Sequence, residues 1–227
     1  MQITWHGHAT WLIEHDGHRV LIDPFFNENP AAIVKAKEVR ADTILVTHGH
    51  FDHIADAASI AQQSEATVVA NFEIATWLSN EHGVKSTVGM NLGGWTTLPF
   101  GRVQMTIAFH SSQLPDGAYG GNPGGYLIEI GGKRLYVAGD TALFSDMQLY
   151  GRTELDAAIL PIGDLFTMGP VDSLHAIYWL RPRVVFPSHY NTWPPIAQDV
   201  ESWADAVRQQ GVAEPRVPEV GVAIELE

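Results

Sequence analysis

The sequence predicts an α/β protein in which two sheets pack face to face with helices outside. Two observations carry that prediction. Short apolar runs alternate with segments of helical composition, and the two halves of the chain share one order, β-rich and then β-α. Glycine-punctuated strands fill the middle. At 227 residues, 45% hydrophobic and 17% charged, the chain suits one folded domain, expected to span residues 1–227.

The elements follow in order. ITWHGHATWLIEH (3–15) alternates in places, and GHRVLIDPF (17–25) follows with a glycine turn before it and a proline stop after it. ADTILVTH (41–48) is a continuous apolar run, the mark of a strand covered on both faces. IADAASIAQQ (54–63) reads as helix, ATVVAN (66–71) as strand and FEIATWLSNEH (72–82) as helix. WTTLPFG, RVQMTIAFH, GYLIEIGG and KRLYVAGD form the β-rich middle, interrupted by the long Gly/Pro loop LPDGAYGGNPGG (114–125). LDAAILPIGD then reads as strand, VDSLHAIYWL as helix, PRVVFPSH as strand and QDVESWADAVRQQ as a solvent-facing helix. His175, among apolar helix neighbours, is expected to be packed.

Thirteen basic against 26 acidic residues give a net charge of −13, which repels nucleic acid and anionic membranes. The short basic clusters, such as Lys133 with Arg134 and Arg181 with Arg183, read as solvated faces and strand ends. There is no cysteine, so any metal must be held by nitrogen and oxygen. No basic start leads into a hydrophobic run, and no stretch approaches the roughly 18–20 apolar residues that span a bilayer. The expectation is a cytoplasmic protein without membrane insertion, acting on a small-molecule substrate, either alone or as a homo-oligomer.

The chemistry lies where apolar strands stop. ADTILVT runs into His48-Gly49-His50, RVQMTIAF into His110, KRLYVAG into Asp140 and RVVFPS into His189. Loops at strand ends converge in layered α/β proteins, so these side chains can meet. In THGHFDH (47–53), residues i and i+2 of an extended chain face the same side, roughly 6.5–7 Å apart, which lets His48 and His50 close on one ion. Asp52 and His53 lie past the glycine, where a helix begins, and point elsewhere. The simplest geometry is two ions, one on each pair. The bland alternatives are an N-cap for Asp52, turn chemistry for Asp140 and structural roles for the single strand-end histidines.

THGHFDH, His110, AGDTALFSDM and His189, with ITWHGHATWLIE, LIDPF, LPIGDLFTMGP and PSHYNTWPPI, resemble the metallo-β-lactamase superfamily. Within it the chain is similar to small metal-dependent hydrolases allied to the ascorbate-phosphate lactonase and N-acyl-phosphatidylethanolamine phospholipase D branch. The resemblance runs over residues 1–227. It implies a four-layer αββα sandwich, with His48, His50 and His110 on one metal, Asp52, His53 and His189 on the other, and Asp140 bridging. It also marks His8 as lying near the active site, as a residue touching substrate or supporting a ligand rather than a ligand itself.

The implied cofactors are two divalent ions, zinc first, with manganese, nickel or iron as alternatives. The implied activity is hydrolysis of an ester, lactone or phosphodiester by a hydroxide held between the ions, with Asp52 also orienting the nucleophile or receiving its proton. Asp23, at the strand end in LIDPF, reads either as a carboxylate orienting a ligand histidine or as an Asp-Pro turn. Ser111 and Ser112 are expected to form hydrogen bonds rather than act as nucleophiles. Asp164 and the loop FTMGP (166–170) are expected to support the cleft. Two competing readings are an iron-dependent oxygenase or redox protein on the same fold and a non-catalytic metal-binding module. The diiron redox branch usually carries Glu where His50 stands, which argues against that version.

Overall fold

A computed structural model describes all 227 residues. The first sheet takes β1 (Gln2–Trp5), β2 (Trp11–His15), β3 (His18–Ile22), β4 (Thr43–Leu45), β5 (Thr67–Asn71) and β6 (Thr87–Met90). The second takes β7 (Trp95–Leu98), β8 (Gly101–Ile107), β9 (Gly124–Ile130), β10 (Lys133–Val137), β11 (Ala157–Pro161), β12 (Val184–Ser188) and β13 (Glu214–Pro215). β14 (Ala223–Glu225) returns to pair antiparallel with β1 and completes two seven-stranded sheets.

Each sheet is antiparallel at one side and parallel at the other. β3 through β6 run parallel, as do β10 through β13. The helices are α1 (Phe51–Ile54), α2 (Ala57–Ser64), α3 (Phe72–His82), α4 (Met147–Tyr150), α5 (Pro170–Leu180) and α6 (Val200–Gln210). None is long and apolar enough to cross a membrane. This is the expected αββα sandwich.

The continuous apolar runs are explained by burial on both faces. Leu45 and Val69 belong to the core shared by the two sheets, whereas Ile44, Val46, Val68 and Ala70 pack with Ile60, Ile74 and Leu78 of α2 and α3. The Tyr126 hydroxyl reaches from β9 to the Val46 carbonyl at 2.8 Å, and the Trp11 indole N–H donates to Ser188 Oγ at 3.0 Å. Both bonds tie one sheet to the other next to the ends of β4 and β12.

Three sequence expectations need adjustment. ITWHGHATWLIEH is interrupted at residues 6–10, where Gly7 and His8 take φ of 92° and 55°. His175 is exposed, because the helical period gives the core face of α5 to Ser173, Ala176, Ile177 and Leu180. Asp52 is not an N-cap: His50 occupies that place and Asp52 lies inside the first turn of α1.

Candidate metal centre

All seven sequence-predicted ligands come together at the carboxyl ends of the strands. His48 and His50 follow β4, Asp52 and His53 sit on α1, His110 follows β8, Asp140 follows β10 and His189 follows β12. Asp140 reaches the centre because Gly139 turns the chain at φ 64°; a β-carbon there would stand 2.7 Å from the Gly124 carbonyl. His8, Asp23 and His189 also take positive φ (55°, 45° and 53°). That backbone region is sparsely populated outside glycine and is found where surrounding structure holds a functional side chain in place.

Two groups of donors result. His48, His50 and His110 offer one nitrogen each, all within 4.8 Å of one another. His48 Nε2 lies 2.9 Å and His110 Nε2 3.3 Å from His50 Nδ1. Two nitrogens bonded tetrahedrally to one zinc at 2.0–2.1 Å stand about 3.3 Å apart, so the spacing suits a shared ion. The second group is Asp52, His53 and His189, joined by His8. The Asp140 Oδ2 atom stands between them: 3.0 Å from His189 Nε2, 3.3 Å from His53 Nε2, 3.6 Å from His110 Nε2 and 4.0 Å from His48 Nε2.

The rings are aimed by a buried carboxylate. Asp23 accepts from His53 Nδ1 at 2.8 Å, from the Thr47 amide at 2.8 Å and from the Thr47 hydroxyl at 2.6 Å. Thr47 Oγ1 in turn lies 3.0 Å from His48 Nδ1. With Nδ1 of both rings engaged by Asp23 and Thr47, both Nε2 atoms face the centre. Of the two readings of Asp23, the orienting carboxylate is the one the geometry supports. Ser112 fixes the next turn by accepting from the Gly49 amide at 3.0 Å, and Ser111 Oγ lies 3.2 Å from His50 Nε2, leaving Nδ1 of that ring inward.

The electrostatics are those of a cation site. Burial and the neighbouring His53 push His48 well below the usual imidazole range, so it stays neutral and able to ligate. Burial alone would raise Asp140, but His189 and His53 hold it well below the carboxylate range. Burial opposes charge on His53, yet Asp140, Asp52 and Asp23 together raise it far above 6.5. His53 Nε2 and Asp140 Oδ1 are buried with no hydrogen-bond partner. These carboxylates favour positive charge at the centre, whether a proton on His53 or a cation in its place, and a nitrogen–oxygen set without sulfur fits zinc, manganese, nickel or iron.

His8, expected near the active site as a residue touching substrate or supporting a ligand, lies against Asp52. Its Nε2 lies 2.9 Å from Asp52 Oδ2 and its Nδ1 2.8 Å from Thr192 Oγ1, which puts it inside the second donor group. Burial and His189 push its pKa down to about 4. Thr192 carried no signal in the sequence, since it meets His8 across 184 positions. His6 faces the other way, its ring 5.3 Å from that of Phe26 and both nitrogens without partners.

Burial lowers the His6 pKa from 6.5 to about 4. The unfolded chain therefore takes up a proton near pH 6.5 that the folded protein refuses until about pH 4. The stability tied to His6 is complete above that window and is lost as pH falls through it, about 3 kcal/mol in all. Urea denaturation across this range should show a flatter acid limb for His6→Leu; an unaltered limb would mean that His6 titrates normally.

A cleft of about 830 Å³ opens over the centre, lined by His50, Asp52, His110, Asp140 and His189 together with Phe51, Leu165, Phe166 and Trp193. A larger depression, about 1080 Å³, lies at the opposite, amino ends of β10–β12. Its Arg134 is tied to Glu129 at 3.1 Å and it holds no cluster of metal-ligating side chains, so the metal chemistry belongs to the first cleft.

Comparison with known proteins agrees with this geometry. A family model described as a β-lactamase superfamily domain matches residues 2–189. A UPF0173 metal-dependent hydrolase of Thermus thermophilus is 50% identical over 212 residues, 93% of each chain. Another from Pelotomaculum thermopropionicum is 46% identical over 231 aligned positions, gaps included, covering 100% of both chains. The solved structure of Igni18, a metallo hydrolase from the archaeon Ignicoccus hospitalis, superposes with a TM-score of 0.88 at 36% identity, covering 100% of this chain and 99% of that one.

Proposed function

Because the chain belongs to the metallo-β-lactamase superfamily, among its UPF0173 metal-dependent hydrolases, we propose that it is a binuclear enzyme that cleaves an ester, lactone or phosphodiester bond of a small substrate. His48, His50 and His110 would hold one ion and Asp52, His53 and His189 the other, with Asp140 as the carboxylate shared between the two groups. The observation that carries this reading is the Asp140 Oδ2 atom, within 3.6 Å of His189, His53 and His110, which belong to both donor groups. Divalent ions held there would supply Lewis acidity, making water acidic enough to ionise near neutral pH and polarising the oxygen of the bond to be cleaved.

The remaining work falls to the chain. Asp52 Oδ2 lies 3.7 Å from His53 Nε2 and 3.8 Å from His189 Nε2, so its carboxylate is placed both to ligate and to receive or direct the nucleophile's proton. His8 holds that carboxylate at 2.9 Å from inside the core, where water does not reach. The same reading takes residues 1–227 as one domain acting in the cytoplasm.

Elemental analysis of protein purified without a metal-affinity tag is expected to find close to two ions per chain. Zinc or manganese with turnover on a panel of esters, lactones and phosphodiesters supports the proposal. A single ion in the wild type would remove the bridging role of Asp140, and iron with oxygen uptake in place of hydrolysis would move the protein to the oxygenase class.

A further inference from the structure

Beyond its ligating groups, the cleft is walled by apolar side chains from three loops and a helix. Phe51 comes from α1, Leu114 from the loop after β8, Leu165 and Phe166 from the loop after β11, and Trp193 from the loop after β12. The only uncharged polar residues among them are Ser111 and Gln113, and no Lys or Arg lines the cleft at all. In a chain of net charge −13, no side chain here is positioned to neutralise a substrate anion.

The apolar wall is built rather than incidental. The Trp193 ring is fixed by His8 at 4.9 Å, Phe25 at 6.0 Å and Phe51 at 6.2 Å between centroids. Leu165 and Phe166 remain 67% and 55% exposed at the tip of their loop. That loop is nevertheless held: Thr167 N–H donates to the Asp164 carbonyl at 2.6 Å, and Met168 N–H to the carbonyl of Thr141, next to Asp140, at 2.8 Å. Two large apolar side chains are thereby kept in water at the mouth of the centre, a placement that gains stability only when an apolar ligand covers them.

Building on the hydrolase reading above, we infer that the substrate is an uncharged carboxylic ester or lactone carrying an apolar group, which Phe51, Leu165, Phe166 and Trp193 grip. A carbonyl substrate develops charge on one oxygen in the transition state. A phosphodiester already carries an anion on two non-bridging oxygens, which enzymes meet with Arg or Lys as well as metal, and no Arg or Lys lines this cleft. In the reaction the acyl C–O bond breaks, the hydroxyl of water joins the acyl carbon, and the remaining proton of water goes to the leaving alkoxide. A lactone opens to a single hydroxy acid. The loop FTMGP, with Leu165 before it, thus acquires a role as the specificity wall.

The test uses the metal-loaded protein, p-nitrophenyl esters from acetate to octanoate, γ-lactones with alkyl side chains, and bis(p-nitrophenyl) phosphate. kcat/KM is expected to rise about two- to fourfold per methylene that leaves water, with the phosphodiester far behind the longer esters. Calorimetry with the product anions hexanoate and octanoate should show the same ordering in Kd. The double variant Leu165→Ser/Phe166→Ser should flatten both slopes and weaken octanoate binding about tenfold, with Tm unchanged because both side chains are exposed. Turnover that is best on acetate or on the phosphodiester, with no chain-length slope, overturns the inference while leaving the hydrolase reading intact. Absence of any turnover overturns the hydrolase reading; the alkanoate titrations then still decide the apolar wall, rising affinity supporting it and flat affinity refuting it.

Discussion

Asp140→Ala is expected to lose one or both ions and at least about 10³-fold in kcat/KM, equivalent to about 4 kcal/mol of transition-state stabilisation. The reason is positional. Asp140 Oδ2 is the only carboxylate oxygen within 4.0 Å of imidazoles from both donor groups. It is 3% exposed, and its low pKa keeps it ionised throughout the range in which a hydrolase works. In the two-ion reading, each ion would keep its other ligands but lose the shared negative charge that lets two dications stand close together. Asp140→Asn separates charge from shape, since it keeps the volume and should fold as the wild type while holding fewer ions. Mass spectrometry under non-denaturing conditions counts them directly. If either variant kept two ions and wild-type turnover, the two-ion mechanism would have to be abandoned.

How much of this could be read from the sequence follows from which contacts are local. Four apolar runs ending in His48, His110, Asp140 and His189 were legible, because parallel strands in a layered fold bring their carboxyl ends to one edge and little else can happen there. The split of THGHFDH into two pairs was also legible, since Gly49 and the start of α1 redirect the chain within the motif. What the i, i+2 rule could not supply was the choice of ring nitrogen, Nε2 for His48 but Nδ1 for His50. The same rule misleads at His6 and His8. They lie in a turn with positive φ, so one ring packs against Phe26 and the other enters the centre.

The pairing of His8 with Thr192 was beyond sequence reasoning for a different reason. They follow strands of different sheets and meet only because β12 docks against the turn after β1, where the His189 amide donates to the His8 carbonyl at 3.0 Å. No periodicity reports how one sheet sits on the other. The apolar wall was similarly hidden: Leu165 and Phe166 are two ordinary loop residues until the bond from Met168 to Thr141 places their loop beside Asp140.

Asp23 carries the second large prediction, because in this reading it aims the ligand rings from behind. Its two oxygens face three donors, the Thr47 amide, the Thr47 hydroxyl and His53 Nδ1, and the residue is 1% exposed. In Asp23→Asn the amide nitrogen must oppose at least one of those donors, leaving buried polar groups unpaired. A loss of about 3 kcal/mol in stability is expected, with a fall of about 10- to 100-fold in metal affinity as His53 loses its fixed tautomer. Stability and affinity can fall together for trivial reasons, so Thr47→Val is the informative partner. It removes only the hydroxyl between Asp23 and His48 Nδ1 and leaves the Asp23–His53 bond in place. Asp23→Asn should weaken both ions, whereas Thr47→Val should weaken the ion on His48, His50 and His110 while sparing the one on Asp52, His53 and His189. Stepwise chelation monitored by elemental analysis resolves the two ions. Equal loss of both ions in Thr47→Val, or none in Asp23→Asn, would mean that the buried carboxylate props up the fold and does not set the ligands.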